Sequence, residues 1–212
     1  RKPRTLSHIE KDFMLTEKLK KKYSYYKNIK IYNSDILKFD IEKITTQNSI
    51  IFGNLPYNIS SQILVKFLKF KKWPPKFNDL IFMFQKELGQ KIIGTYPSSD
   101  YGRISILSNF RLNVINKFYV SPNCFFPKPR ITSMVIHFQP KKKQLFAIKN
   151  INSLEKITNI LFSNKRKMIN KNIKKILSEN KIKDIQDLNI NLRPSAIKPE
   201  VYYKITELYE KK

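Results

Sequence analysis

The chain has 212 residues, of which 41% are hydrophobic and 13% aromatic, and 42 lysines and arginines stand against 16 aspartates and glutamates. This composition indicates a folded protein of one large domain or two smaller ones, and it argues against intrinsic disorder. A formal net charge of +26 repels itself unless a polyanion neutralises it. The sequence therefore predicts a nucleic acid as partner, with an anionic membrane surface as the second candidate.

Several function classes have little support in this sequence. No apolar run approaches the ~20 residues that cross a bilayer, and residues 1–6 are basic and lack the apolar region of a signal peptide. Cys124 is the single cysteine, and His8 and His137 are the only histidines, so an internal disulfide and a cysteine-based zinc cluster are excluded. We expect no metal site, no membrane association and a cytoplasmic location.

The first predicted strand, residues 6–9, ends at Glu10 and precedes a helix that carries Phe13, Leu15 and Leu19. An acidic residue at the end of the second strand of a nucleotide-binding fold typically accepts hydrogen bonds from ribose hydroxyls. Alternatively, Glu10 is a carboxylate that the helix dipole favours at the start of this helix. Both interpretations place Glu10 at the carboxyl end of a strand.

The second predicted strand, residues 29–32, is followed by a loop that contains Asp35 and Ile36. A carboxylate at that edge can accept a hydrogen bond from the exocyclic amine of an adenine, while the next backbone amide donates to a ring nitrogen. Asp35 is also well suited to an Asx-turn or a helix cap. The local sequence favours the turn or cap, whereas the succession of three strands that each end in a polar residue, Glu10, Asp35 and Asn54, favours the ligand contact.

The third predicted strand, residues 50–52, is an apolar run expected to be buried, and it leads through Gly53 into the sequence Asn-Leu-Pro-Tyr-Asn-Ile at 54–59. Pro56 makes this turn rigid, Asn54 offers an amide acceptor and donor, and Tyr57 offers a flat ring. Ligands of open α/β sheets bind at the carboxyl ends of strands, so the loop suits a planar base that carries an exocyclic amine. The alternative is a plain turn with Tyr57 packed on a neighbouring helix.

The loop at 54–59, directly after a strand, resembles the catalytic loop of the ribosomal RNA adenine dimethyltransferases, the KsgA-type enzymes and their Erm relatives. The similarity runs from about Leu6 to the C-terminus. It includes Phe-x-x-Gln-Lys-Glu at 82–87, Tyr-Gly-Arg-Ile-Ser at 101–105, Phe-x-Pro-x-Pro at 125–129 and a basic stretch at 165–167. One departure is Thr132, which stands where the family usually has Asp.

This resemblance implies an α/β fold: a Rossmann-like, S-adenosylmethionine-dependent methyltransferase sheet followed by a small C-terminal helical domain. We expect residues 1–143 to form the methyltransferase core and residues 144–212 a helical RNA-binding domain. The family fold begins with a strand and a Gly-x-Gly-x-Gly turn, and the chain's glycines do not form that pattern. We therefore expect the sequence to start at the second strand of the fold. The four glycines are Gly53, Gly89, Gly94 and Gly102.

The core should continue with a helix at 60–70, a central strand at 80–84, a helix through Leu88 to Ile93, and two final strands at 112–120 and 133–138. The Pro-rich loop between the last two strands holds Phe125 and Phe126, of which we expect one to belong to the core. In the family that this chain resembles, the phenylalanine at the position of Phe125 faces the target base.

The resemblance further implies transfer of methyl groups from S-adenosylmethionine to N6 of adenines in small-subunit ribosomal RNA. The catalytic residues would be Asn54, Leu55, Pro56, Tyr57 and Phe125, with Tyr57 and Phe125 sandwiching a flipped adenine. The residues expected to bind the cofactor are Glu10, Asp35, Ile36 and Asn54.

The C-terminal part is predicted to be helical, with helices at 153–162 and 202–209. Between them we expect a helix from Ser163 with a lysine face at Lys167, Lys171, Lys174 and Lys175, and an apolar face at Ile169, Ile173, Ile176 and Leu177. The lysines on such a face either point into solvent alone or contact the phosphates of a nucleic acid. The cations expected to bind RNA are Lys128, Arg130, Lys165, Arg166, Lys167, Lys171 and Lys174.

We expect the partner to be ribosomal RNA or a precursor of the small ribosomal subunit, and the protein to be a monomer. Three other functions share parts of this pattern. An Erm-type methyltransferase of large-subunit RNA has the same loops. A ribosome-assembly factor without catalysis would keep the basic surfaces alone, and a DNA amino-methyltransferase would share only the loop at 54–57.

Overall fold

The computed structural model describes residues 3–211, which form two compact units divided between Thr45 and Thr46. The first unit is a βαβ motif followed by a short helix, and its two strands pair in parallel with Leu6 opposite Ile29. Its elements are β1 (Leu6–Glu10), α1 (Phe13–Lys22), β2 (Ile29–Asn33) and α2 (Ile41–Ile44).

Polar side chains fasten the carboxyl ends of β1 and β2. Asp12 caps α1 by accepting a hydrogen bond from the Leu15 amide at 2.8 Å, which satisfies one of the free amides of the first turn. The Asn33 side-chain amide donates to the Glu10 carbonyl at 3.2 Å and to the hydroxyl of the buried Thr16 at 3.1 Å. These bonds hold the carboxyl ends of the two strands and the first turn of α1 together.

The second unit contains a four-stranded sheet in the order β3-β4-β6-β5, in which β3 and β4 are parallel and β6 is antiparallel to both β4 and β5. Every helix and strand predicted between residues 50 and 138 is present. The elements are β3 (Ser49–Asn54), α3 (Ser60–Leu68), β4 (Phe77–Gln85), α4 (Lys86–Ile93), α5 (Arg103–Arg111), β5 (Leu112–Val120) and β6 (Ser133–Pro140).

One face of this sheet forms the core of the second unit. Alternate residues of β4 and β6 are buried together with the apolar stripe of α3, since side chains of a strand point to opposite faces in turn. The members of this core include Leu80, Phe82, Phe84, Met134, Ile136, Phe138, Ile63, Leu64, Phe67 and Leu68.

The expectation that β3 is a buried strand is wrong, because one of its faces is exposed and the other is only partly buried. Ile50 is 54% exposed and Phe52 is 71% exposed, and every second position of the strand is accessible. The apolar run at 50–52 predicts a strand correctly, but a run of three apolar residues cannot show how many faces are covered.

The C-terminal part is helical, and its first and last helices confirm the prediction. Its elements are α6 (Ile151–Leu161), a 3-10 turn (Phe162–Asn164), α7 (Asn170–Ile173), α8 (Glu179–Lys183), a second 3-10 turn (Pro194–Ala196) and α9 (Pro199–Glu210).

The continuous helix predicted from Ser163 through Leu177 is wrong, because only the four residues of α7 are helical there besides the preceding 3-10 turn. Asparagine side chains form hydrogen bonds to backbone groups here, in competition with the hydrogen bonds of a helix. The Asn170 side chain accepts from the Lys171 amide, and the Asn172 side chain donates to the Ile160 carbonyl. The Ile169 amide donates to the distant Leu192 carbonyl at 3.1 Å rather than within a helix. The apolar and basic residues nevertheless separate as expected: Ile169, Ile173, Ile176 and Leu177 are buried, and Lys167, Lys171, Lys174 and Lys175 are exposed.

The helical segment packs on α5 within the second unit. The Tyr203 hydroxyl donates to the Ile106 carbonyl at 3.1 Å, and its ring lies 4.9 Å from that of Phe110. Burial raises the pKa of this hydroxyl well above its ordinary value, so Tyr203 remains a donor at all physiological pH.

Ion pairs also join the helical segment to the rest of the second unit: Glu155 of α6 pairs with Lys69 at 2.5 Å and with Arg103 at 3.4 Å. A domain boundary near residue 144 stays a prediction.

None of the helices in the described part of the chain combines the length and apolar character of a membrane span.

Arg111, the last residue of α5, is buried at the edge of the core. Its guanidinium donates to the carbonyls of Leu68, the last residue of α3, and of Phe70, and it lies 4.4 Å from the centre of the Trp73 ring. It thereby satisfies the carbonyls of two buried residues and stacks on an aromatic face. The charged side chain is a structural support, not a surface cation.

We expect Arg111→Met to lower the free energy of unfolding by about 2 kcal/mol or more, because it leaves two carbonyls without their charged donor. The matched control is Lys117→Met, which removes an exposed cation from β5 and should change stability by no more than about 0.5 kcal/mol. Denaturant unfolding of both variants measures the difference. Equal stabilities would show that the Arg111 hydrogen bonds contribute nothing net.

Candidate active site at the end of β3

The loop after β3 is closely held by its neighbours. The Ile59 amide donates to the Pro56 carbonyl at 3.2 Å, and the Ser60 hydroxyl donates to the Tyr57 carbonyl at 3.0 Å. Gly53 lies where the loop begins and is closely packed, since a Cβ there would lie 2.5 Å from a Leu55 methyl carbon and 3.0 Å from the Phe82 ring, so a larger residue would displace the Leu55 side chain. The loop therefore leaves the sheet in one defined direction.

The Tyr57 ring is fixed by a contact that the sequence did not indicate. Its hydroxyl lies 2.6 Å from the hydroxyl of Ser133, the buried first residue of β6. Ser133 pairs with Gln85 of β4 and with Val120 of β5, so its position is set by the sheet. The ring is therefore positioned by residues far from it in sequence, and a lone serine at a strand start carries no chemical pattern that would reveal this role.

The Pro-rich connection between β5 and β6 forms the other side of the site. It begins with a 3-10 turn, Pro122–Cys124, after which the Phe125 amide donates to the Pro122 carbonyl at 3.2 Å. At its other end, the Lys86 amide donates to the Thr132 carbonyl at 3.0 Å. The expectation that one phenylalanine belongs to the core is wrong: Phe125 is half-buried and Phe126 is 102% exposed.

The loop after β3 and the Pro-rich loop form the two sides of an open pocket of about 380 Å³. Residues 54–57 line it from one side, and Phe125, Phe126, Pro127 and Pro129 from the other, together with Met83 of β4. Among the described residues, the Asn54 side-chain amide has no hydrogen-bond partner, so it is available to a ligand. All five residues predicted to be catalytic therefore line one pocket, and so does Met83, which the sequence did not indicate.

This pocket combines apolar and aromatic walls with the polar side-chain amide of Asn54. Sites for small planar ligands have this character, in which apolar surface holds the ligand and a few polar groups orient it. The rings of Tyr57 and Phe125 can stack on a base, and the Asn54 oxygen can accept a hydrogen bond from an amine on that base.

In the first unit, Glu10 and Asp35 lie where predicted, at and just after the carboxyl ends of β1 and β2. One Glu10 oxygen accepts from the Asp12 amide at 2.8 Å, and the other has no partner among the described residues. The Ile36 amide is likewise without a hydrogen-bond partner within residues 3–211. Both free groups fit a nucleoside ligand, as an acceptor for ribose hydroxyls and a donor to a ring nitrogen.

Asp35 forms the Asx-turn that was its alternative role. One carboxylate oxygen accepts from the Leu37 amide at 2.9 Å, and the other pairs with Lys11 at 3.1 Å. The Leu37 hydrogen bond and then Lys11 lower the pKa of Asp35 below its ordinary value. Its carboxylate is therefore an ionised acceptor held in one orientation, and cofactor binding by Glu10, Asp35, Ile36 and Asn54 stays a prediction.

The predicted RNA-binding cations are all exposed, and none of them lines the pocket. Lys128 and Arg130 lie on the Pro-rich loop that forms one side of the pocket. Lys174 pairs with Glu179 at 2.9 Å, which neutralises part of its charge. Within the described residues, no group of three or more His, Cys, Asp or Glu side chains could hold a metal ion.

Comparison with known proteins gives a consistent result. A family model described as ribosomal RNA adenine dimethylase matches residues 2–211. The chain is 41% identical over 211 residues to "Ribosomal RNA small subunit methyltransferase A" of Pelagibacter ubique, covering 99% of this chain and 79% of that protein.

Two solved structures share the fold. A dimethyladenosine transferase from Plasmodium falciparum superposes with a TM-score of 0.73 at 20% identity, over 98% of this chain and 82% of that one. The 23S rRNA methyltransferase ErmE superposes with a TM-score of 0.63 at 18% identity, over 99% of this chain and 83% of that one. With a family match over nearly its whole length and a relative at 41% identity, this chain belongs to the ribosomal RNA adenine dimethylase family.

Proposed function

We propose that this protein dimethylates adenine N6 in small-subunit ribosomal RNA and that the target base enters the pocket between the loop at 54–57 and Phe125. The observation that carries the proposal is the pocket itself, which joins a free asparagine amide to two aromatic rings in a chain of this family. The small-subunit substrate is supported by the name of the Pelagibacter relative.

The pocket residues can orient the amine without a strong base. The lone pair of an adenine amine is delocalised into the ring, so the nitrogen must become pyramidal before it can attack. Hydrogen bonds from its N–H groups to the Asn54 oxygen and to a loop carbonyl favour that geometry. The Leu55 carbonyl is the more available one, because the Pro56 carbonyl already accepts from the Ile59 amide. Such positioning supplies several kcal/mol in general.

Stacking holds the base while the amine reacts. Extruding an adenine from its neighbours costs a few kcal/mol of free energy, and stacking on each aromatic ring contributes about 1–3 kcal/mol to offset this cost. Because the Tyr57 hydroxyl is bound to Ser133, its ring is oriented before the base arrives, and less rotational freedom is lost on binding.

S-adenosylmethionine, when bound, supplies the transferred methyl group. We assign the ribose hydroxyls of this cofactor to Glu10, and its adenine to Asp35 and the Ile36 amide. The ionised Asp35 accepts from the amine of that adenine, and the Ile36 amide donates to a ring nitrogen. The free Glu10 oxygen and the free Ile36 amide support this assignment.

The exposed cations of the C-terminal segment and of the Pro-rich loop are proposed to bind the RNA backbone. In this proposal the protein acts as a monomer in the cytoplasm, where ribosomal precursors are available to it. The alternative function, a non-catalytic assembly factor, would bind RNA through the same exposed cations, but the match to the adenine dimethylase family does not favour it.

The first test concerns Asn54 and uses methyl transfer to small ribosomal subunits that lack these methyl groups, with the full-length protein. We expect Asn54→Ala to lower kcat by about tenfold or more, or ~1.4 kcal/mol of transition-state stabilisation, with little change in RNA affinity. Asn113→Ala, an exposed asparagine of β5, is the matched control and should retain wild-type turnover. Wild-type turnover in Asn54→Ala would instead favour the assembly-factor function.

The second test concerns the contact between Tyr57 and Ser133. We expect Tyr57→Phe and Ser133→Ala each to reduce stability, and the double variant to lose clearly less than the sum, with a coupling of about 1 kcal/mol. Unfolding free energies of the four proteins measure this cycle. Tyr57→Phe should keep most of the methylation, since the ring does the stacking. Strictly additive losses would mean that the two hydroxyls do not interact.

The third test addresses the C-terminal cations through salt dependence. Replacing Lys167, Lys171 and Lys174 with Gln should weaken RNA binding and flatten the dependence of log affinity on log salt, because fewer counterions are released. The control replaces Lys18, Lys21 and Lys22, exposed residues of α1, with Gln and changes the net charge equally. A similar effect of both sets would show that only overall charge matters, and an unchanged slope in the first would assign these lysines to solvent.

A further inference from the structure

Phe126 is the most exposed large apolar side chain in the described part of the protein, at 102% of its reference accessibility. It also lines the pocket, beside the half-buried Phe125. A fully exposed phenylalanine contributes no burial energy to folding, since hydrophobic stabilisation depends on area removed from water. Its ring is therefore free for a ligand and is not needed by the core.

The segment around Phe126 is restrained on both sides. Pro127 and Pro129 fix their own backbone φ angles. The turn before Phe125 is closed by a hydrogen bond from the Phe125 amide to the Pro122 carbonyl. At the far end, the Thr132 carbonyl accepts from the Lys86 amide. Because the backbone is restrained, little backbone entropy is lost when a partner covers the ring.

We propose that Phe126 stacks on the nucleotide adjacent to the target adenine. This inference rests on the proposed function, because extruding the adenine strips one face of the neighbouring base of its stacking partner. An aromatic side chain at the pocket mouth replaces that lost contact, and it accepts any base, because every base has a π-face. Lys128 and Arg130, exposed just beyond Phe126, are placed to contact the phosphates of the same strand.

The test compares wild-type protein and Phe126→Ala on three fluorescent RNA hairpins with one adenine in the loop. The first hairpin is intact, and the others carry an abasic nucleotide on the 5′ or the 3′ side of that adenine. We expect the variant to bind the intact hairpin about tenfold more weakly. On one of the two abasic hairpins, wild type and variant should bind alike, within about twofold, because the base that Phe126 covers is missing.

The matched control is Phe118→Ala, which removes a 56% exposed phenylalanine of β5 that does not line the pocket, and it should bind all three hairpins like the wild type. Phe126→Trp should retain binding, and Phe126→Leu should lose it, since an aliphatic group cannot stack in the same way. Thermal melts should coincide, because the side chain is exposed.

Two outcomes would overturn the role of Phe126: no loss of affinity in Phe126→Ala, or an equal loss on all three hairpins. The proposed function is judged separately, by whether the wild-type protein transfers methyl groups to small ribosomal subunits. Because the hairpin comparison measures binding without turnover, failure of either idea can be recognised while the other still stands.

Discussion

The position of β4 between a parallel and an antiparallel neighbour determines where the candidate site forms. Since β3 runs parallel to β4 and β6 antiparallel to it, the end of β3 and the start of β6 meet at the carboxyl end of β4. Asn54 pairs with Met83, and Ser133 pairs with Gln85 two residues further along. This register brings the loop after β3 within reach of the loop before β6, and the Tyr57–Ser133 contact joins the two.

The same arrangement separates the stable part of the unit from the part that binds. The buried face of the sheet is formed by residues such as Leu80, Phe82 and Ile136, whereas the pocket is lined mainly by the loops at the edge of the sheet. The loops can therefore keep apolar rings accessible, as with Phe126, and a polar side chain without a partner, as with Asn54. Placing binding residues on loops at the edge of a rigid sheet is the general solution of α/β folds.

Much of the site was predictable because its residues follow strands directly in sequence. Glu10, Asp35 and Asn54 were located from the positions where apolar runs stop, and the structure has strands ending there. Ser133 and Met83 were missed because their roles arise from strand register between distant segments, which no local pattern contains. The helix predicted from Ser163 was wrong for the opposite reason: its apolar and basic residues do separate, but asparagine side chains and a long-range hydrogen bond interrupt the backbone.

The structural role of Asp35 does not exclude the binding role that we propose for it. The local sequence left an Asx-turn and a ligand contact as alternatives, and the structure contains the turn. A carboxylate fixed by the Leu37 amide and Lys11 stays ionised, and its remaining lone pairs point in constrained directions. Asn54 is the converse case, with a free side chain at the end of a fixed strand. In the proposed function, Asp35 is the rigid acceptor for the cofactor, and Asn54 is the adaptable acceptor for an amine that changes geometry during the reaction.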